Sequence, residues 1–178
     1  MFTIGIEIDS RAYFMSSTML ISLPTGSKMY NWLCTYLNTY LFIFNTLTII
    51  YIKMFLIMFT LGGSSGLILG NNVLDISLHD TYYVISHFHI VLSLGTILSI
   101  FIGISYYQEF LIWSITNVLS LYHLMLIFIG IFLTFIPLHF LSFNTLPRRI
   151  SDFPDSLNWW NSLSSLGCSL TWVSFSIL

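Results

Sequence analysis

The chain has 178 residues, of which 56% are hydrophobic, 17% aromatic and only 7% charged, and its mean hydropathy is +0.87. That composition excludes a soluble domain and describes an integral membrane protein. A net charge of -2 offers no footing for nucleic acid or for a basic membrane-surface patch, and the length leaves room for several spans of about 20 residues each but little outside the bilayer.

Five long apolar segments, at approximately 12–36, 40–70, 81–108, 112–141 and 157–178, are separated by short polar breaks. Period-2 alternation is absent, and only helices or closed barrels satisfy backbone polar groups in lipid. We therefore expect an all-α membrane bundle of about five spans forming one unit over 1–178. In the first segment Pro24-Thr25-Gly26 is expected to kink the helix and free backbone groups. Lys28 lies four residues beyond Pro24, well inside the span. It either snorkels to the nearer interface or serves as a proton carrier whose charge a low dielectric disfavours. Thr25, one turn earlier, is placed to order a water chain to it. The second segment carries Gly62, Gly63, Gly66 and Gly70, a spacing that permits close helix contact but serves generic packing equally. Cys34 and Cys168 form no close-spaced motif.

The third segment follows directly on His79-Asp80 and contains His87-Phe88-His89. At about 100° per residue, side chains two apart on a helix diverge by roughly 200°, so one metal cannot take both imidazoles. Two cofactors on opposite sides of the helix can, with Phe88 between them, which suggests a helix threaded between two haems. The alternative is a pair of core histidines, each with its own buried hydrogen-bond partner. His123 and His139 on the fourth segment are separated by about 24 Å of helix and read best as structural. Five crossings would put the amino terminus, the 71–80 loop and the 142–156 loop on one face, which collects Asp75, His79, Asp80, Arg148 and Arg149, while the other face has little besides Lys53 and Glu109. Paired guanidiniums suit carboxylates, such as the four propionates of two haems. They also suit an ordinary juxtamembrane position.

Gly5-Ile-Glu-Ile-Asp-Ser-Arg-Ala-Tyr-Phe14, Pro24-Thr-Gly-Ser-Lys28, Leu78-His-Asp-Thr-Tyr-Tyr-Val84, His87-Phe-His89 and Pro147-Arg-Arg-Ile-Ser-Asp-Phe-Pro-Asp155, in this order, resemble the catalytic subunit of the haem-copper oxidase family. The resemblance covers nearly the whole chain and corresponds to the carboxy-terminal portion of a twelve-helix subunit, from the eighth helix onward. It implies His87 as the axial ligand of the high-spin, oxygen-binding haem and His89 as one axial ligand of the low-spin haem, with Phe88 between them. It implies His79 and Asp80 as magnesium ligands, completed by subunit 2 and water, although magnesium prefers oxygen to imidazole. Asp75, Arg148 and Arg149 would serve the propionate region, and Lys28 and Thr25 a lysine proton path.

The chemistry so implied is reduction of oxygen to water with electrons from cytochrome c, coupled to proton translocation and using heme A in both haem positions. The family's copper-binding histidines, its cross-linked tyrosine and the second ligand of the low-spin haem find no match in this sequence. Copper B is accordingly expected to be held by a separate chain, an amino-terminal fragment that would make this the other piece of a split subunit. Subunits 2 and 3, accessory subunits and membrane lipid are the remaining implied partners. With no import leader and a composition rich in Phe, Ile, Leu, Tyr and Asn, the expected location is the mitochondrial inner membrane, multi-pass and organelle-encoded. A quinol oxidase of the same superfamily would share the haem ligands, and a non-catalytic membrane structural subunit would instead bury its histidines. A dihaem cytochrome b repeats its ligands about 13 or 14 residues apart, a spacing that His123 and His139 miss.

Overall fold

The computed structural model describes residues 2–38, 46–111 and 117–177. The expected starts of the second and fourth segments, at 40 and 112, lie outside them. The described residues form helices α1 (Ile8–Leu37), α2 (Thr46–Gly70), a short α3 (Asn72–Leu78), α4 (Tyr82–Phe88), α5 (Gly95–Leu111), α6 (Asn117–Phe143) and α7 (Asn158–Ile177). A π-helical segment, His89–Leu94, joins α4 to α5, so that the two run as one long rod. The fold is all-helical, and no strand occurs among the described residues. Among the described residues, three stretches are long and apolar enough to cross a membrane: Leu47–Gly70, Tyr82–Tyr107 and Leu119–Phe143. α1 and α7 have comparable length but fall below that apolarity. α1 carries Asp9, Arg11 and Lys28, and α7 is rich in serine. α1 continues through Pro24 as α-helix.

Successive long helices run antiparallel, as their side-chain meetings show. Thr18 of α1 lies against Gly70 at the end of α2, while Trp32 packs on Phe55 and Phe59 near its start. Gly62 of α2 meets Ile90 and Val91, and Thr48 bonds Ser105 farther along α5 at 3.2 Å. Ser86 reaches Phe135 of α6, whereas Phe101 stacks edge-on to His123. This alternation gathers the start of α1, the end of α2, α3, the start of α4, the end of α6 and the start of α7 at one end of the bundle.

Among the described residues the core forms three clusters, of which Leu138, Leu141, Leu146 and Leu157 make the one at the polar end. Met58, Ile90, Leu94, Ile127 and Ile131 fill the level of the π segment, and Tyr51, Met54, Leu98 and Leu124 fill the far end. There the buried Tyr51 hydroxyl is 2.9 Å from His123 Nδ1, and Ser174 of α7 donates to the His123 carbonyl at 2.9 Å. In lipid, where apolar side chains gain nothing by leaving the tails, such interhelical bonds and close backbone packing hold helices together.

The α6–α7 crossing is the closest approach. A Cβ at Gly167 would stand 2.5 Å from Thr134 N and 2.6 Å from the Gly130 carbonyl oxygen, while one at Gly130 would stand 2.9 Å from Thr171 N. These obstructions are backbone, which cannot swing aside. Gly103 of α5, by contrast, has nothing within 4 Å of an added Cβ. Gly167→Ala should therefore destabilise the purified assembly by about 1–3 kcal/mol, the usual cost of overpacking, whereas Gly103→Ala should be neutral or slightly stabilising because alanine is the better helix former. Thermal melting of the two variants side by side checks this, and equal melting temperatures would contradict the close crossing.

Candidate functional site

His87 and His89 leave the α4 rod toward different neighbours, as two residues on a helix must. The His87 ring lies over α2, where a Cβ at Gly66 would sit 2.8 Å from its Cε1 and 3.5 Å from its Nε2. Glycine at position 66 is what admits the imidazole. The ring is fixed through Nδ1, which stands 3.0 Å from the Gly62 carbonyl oxygen and 2.8 Å from Ser65 Oγ. Ser65 donates its own proton to that carbonyl at 2.7 Å. Because a carbonyl only accepts, the proton on His87 belongs on Nδ1, and Nε2 keeps its lone pair.

His89 turns toward α6. Its Nδ1 donates to the Ile85 carbonyl at 2.8 Å, and its ring stacks on Phe135 of α6 with centroids 5.0 Å apart and planes 16° apart. Phe88 stacks on the same imidazole at 4.3 Å and is itself exposed. Both imidazoles thus present Nε2 as the available nitrogen, each held from behind at Nδ1. This is the orientation in which neutral histidine ligates a metal, and the donor set fits two metal centres on opposite sides of one helix.

Between them Ser86 is wholly buried. It donates to the Phe135 carbonyl at 2.6 Å and lies 2.7 Å from His139 Nδ1. His139 Nδ1 is also 3.1 Å from that carbonyl, and Tyr83 packs edge-on to the His139 ring at 4.8 Å.

The polar end of the bundle brings together residues distant in sequence. Arg148 N donates to the Asp80 carbonyl at 2.7 Å, and Tyr82 N to the Leu146 carbonyl at 3.4 Å, with Thr81 and Pro147 forming an isolated antiparallel bridge. Asp80 Oδ2 is 3.3 Å from His79 Nε2, and its Oδ1 is 3.7 Å from Arg148 Nη1. Exposed ion pairs contribute at most about 1 kcal/mol, so the backbone bonds set this corner and the charges follow. Asp80, Thr145 and Arg149 all have φ between 55° and 60°, a left-handed conformation that costs a non-glycine residue about 1–2 kcal/mol. Arg148 Nε is buried with no hydrogen-bond partner among the described residues, a donor left open to a group from outside them. Asp75 of α3 is buried. Burial raises its carboxyl above the usual carboxylate range, with His79 pulling the other way.

Among the described residues, no three His, Cys, Asp or Glu side chains converge on one point. His79 and Asp80 are therefore at most two donors of a shared ion site. Lys28 and Thr25 lie on an exposed stretch of α1, with the Thr25 hydroxyl bonded to the Ile21 carbonyl at 3.2 Å. The structure does not bring them together with His87. Sequence reasoning passed over Ser65, Ser86 and Phe135, and the signal for them was a serine immediately before His87 and a serine pair between Gly63 and Gly66.

A family model described as cytochrome C and quinol oxidase polypeptide I matches residues 1–170. Cytochrome c oxidase subunit 1 of Plasmodium chabaudi is 48% identical over 173 residues, a match spanning 96% of this chain and 36% of that protein. The corresponding subunit of Pecten maximus is 44% identical over 178 residues, spanning 99% and 37%. A solved heme-copper terminal oxidase dimer shares the fold with a TM-score of 0.75 at 20% identity, covering 99% of this chain and 36% of that one. The chain thus spans little more than a third of the relatives it matches, and over that length it belongs to the cytochrome c and quinol oxidase polypeptide I family.

Proposed function

We propose that this chain is the haem-holding, carboxy-terminal portion of the catalytic subunit of a terminal respiratory oxidase that reduces oxygen to water with electrons from cytochrome c. The observation that carries the reading is the orientation of His87 and His89, each pinned through Nδ1 and turned to opposite sides of one rod. In this assignment His87 holds the high-spin haem and His89 one side of the low-spin haem, both heme A. Phe88 lies between them. Haem, when bound, supplies the redox-active iron, and the chain's part is to fix the separation of two such centres and tune their ligands. The names of the relatives favour cytochrome c over quinol as donor.

The polar end serves the carboxylates of the same groups. The buried Arg148 Nε, which has no partner among the described residues, and the exposed Arg149 offer charged donors to propionates. Asp75, whose carboxyl is raised by burial while His79 pulls it the other way, belongs to the same propionate region. His79 and Asp80 contribute two ligands to a magnesium ion that subunit 2 and water complete. Lys28 and Thr25 lie on the proton path toward the oxygen site. α1 has no buried residue and packs mainly along α2, with a smaller contact to α3, which fits a helix whose other sides belong to the first seven helices of the subunit.

Those helices would come from an amino-terminal fragment carrying the copper B ligands and the second low-spin ligand, within a complex containing subunits 2 and 3 and accessory subunits. The location is the mitochondrial inner membrane, with the chain multi-pass and organelle-encoded. Mass spectrometry of the purified complex should find a second polypeptide bearing the remaining histidines, and an active complex without one would overturn the split arrangement.

Ligand variants test the assignment directly. His87→Ala and His89→Ala should each remove one haem signal from the reduced spectrum, and a different one. Ser65→Ala, which leaves His87 only the Gly62 carbonyl, should weaken haem retention at the His87 side by about 10–100-fold, the usual effect of losing a partner behind a ligand. Lys28→Met should slow reduction of the oxygen site by about 10²-fold, the scale of a positioned proton carrier, with haem content unchanged in pyridine haemochrome analysis. Lost haem would instead assign Lys28 to folding.

A further inference from the structure

The proposed haem roles account for His87 and His89 but leave a second device on the same turn without a task. Ser65, the Gly62 carbonyl and His87 Nδ1 form a closed triangle of hydrogen bonds. Ser86, the Phe135 carbonyl and His139 Nδ1 repeat it, at 2.6, 2.7 and 3.1 Å. In the first triangle the imidazole is a proposed ligand. In the second it belongs to α6, and the haem rod contributes the serine.

The hydrogen bonding of the second triangle is determined by its chemistry. Ser86 gives its single proton to the Phe135 carbonyl, so His139 Nδ1–H donates into the serine oxygen and the same carbonyl. Ser86 is 0% exposed, and a hydroxyl buried at this depth must be matched. Interhelical bonds of this kind contribute only modestly to membrane-protein stability. The Ser86 bond has a more specific effect, because the residue that receives it, Phe135, also lays its ring on the His89 imidazole at 5.0 Å and 16°. A shift of the rod along α6 would break the bond from Ser86 and slide Phe135 off His89 together. With Nδ1 tethered to Ile85, the remaining freedom of His89 is rotation of its ring plane, and Phe135 limits that rotation.

We propose that Ser86 and His139 are positioning residues that, through Phe135, set the plane of the His89 imidazole and thereby the electronic properties of the haem that His89 holds. The inference rests on the assignment of His89 as a haem ligand. Outer partners of a ligand tune the metal it carries, and here the partner acts from a neighbouring helix.

The test uses the assembled complex with Ser86→Ala and Phe135→Leu. Ser86→Ala leaves His139 Nδ1 its bond to the Phe135 carbonyl, so no buried donor is orphaned and the variant should assemble with full haem content. Electron paramagnetic resonance and reduced-minus-oxidised spectra should show the g values and α-band of the His89-side haem shifted, with the His87-side haem unchanged. Phe135→Leu, which keeps the carbonyl but removes the ring, should shift the same signals. Wild-type spectra for Ser86→Ala would overturn the proposal, as would a shift in Ser86→Ala that Phe135→Leu does not share, or equal shifts in both haems. The underlying ligand assignment fails separately, if His89→Ala retains both haem signals.

Discussion

Two consecutive residues, Ser86 and His87, tie one helix to two different neighbours, and the rest of the site depends on that double anchorage. A helix offers successive side chains at about 100° intervals, so adjacent positions can grip different partners only if those partners already flank the helix. Here α2 supplies the Gly62 carbonyl to His87 and α6 supplies the Phe135 carbonyl to Ser86. Both acceptors are main-chain oxygens, whose positions are fixed by helix geometry and not by rotamer choice. The rod is therefore held in rotation as well as in translation, which is the condition for delivering two imidazoles at a fixed separation.

The π-helical segment begins immediately after this anchorage, over His89–Leu94. Such insertions occur chiefly at functional sites, because one extra residue in a turn changes the phase of every later side chain on the helix. In this rod it starts at the site residue His89, and its own Ile90 and Leu94, with Leu98 beyond it, are all buried against α2 and α6. At the polar end, left-handed backbone at Asp80 and Arg149 is tolerated because the main-chain bonds between the two loops over-determine it.

Much of this architecture was legible in the sequence, and the parts that were not have physical reasons. α6 is apolar from Leu119 to Phe143, and no periodicity argument is needed to make it a helix in lipid. The divergence of His87 and His89 follows from spacing alone. The glycines of α2 were ambiguous because small residues at intervals of four serve any close contact, and only the three-dimensional pairing shows that Gly66 faces an imidazole and Gly62 faces Val91. The π insertion left no mark in composition. Ser86 looked like one hydroxyl among many, since serines in helices usually bond their own preceding turn, as Ser64 and Ser77 do here. Its bond to a carbonyl 49 residues away is a property of the packing.

The corner between Thr81 and Pro147 joins segments separated by two long helices. A chain made from its amino end therefore presents His79 and Asp80 well before Arg148 emerges, and in that interval the loop has neither the Arg148 amide nor its guanidinium beside it. The corner thus closes only once residues 146–148 have been made, after both intervening helices.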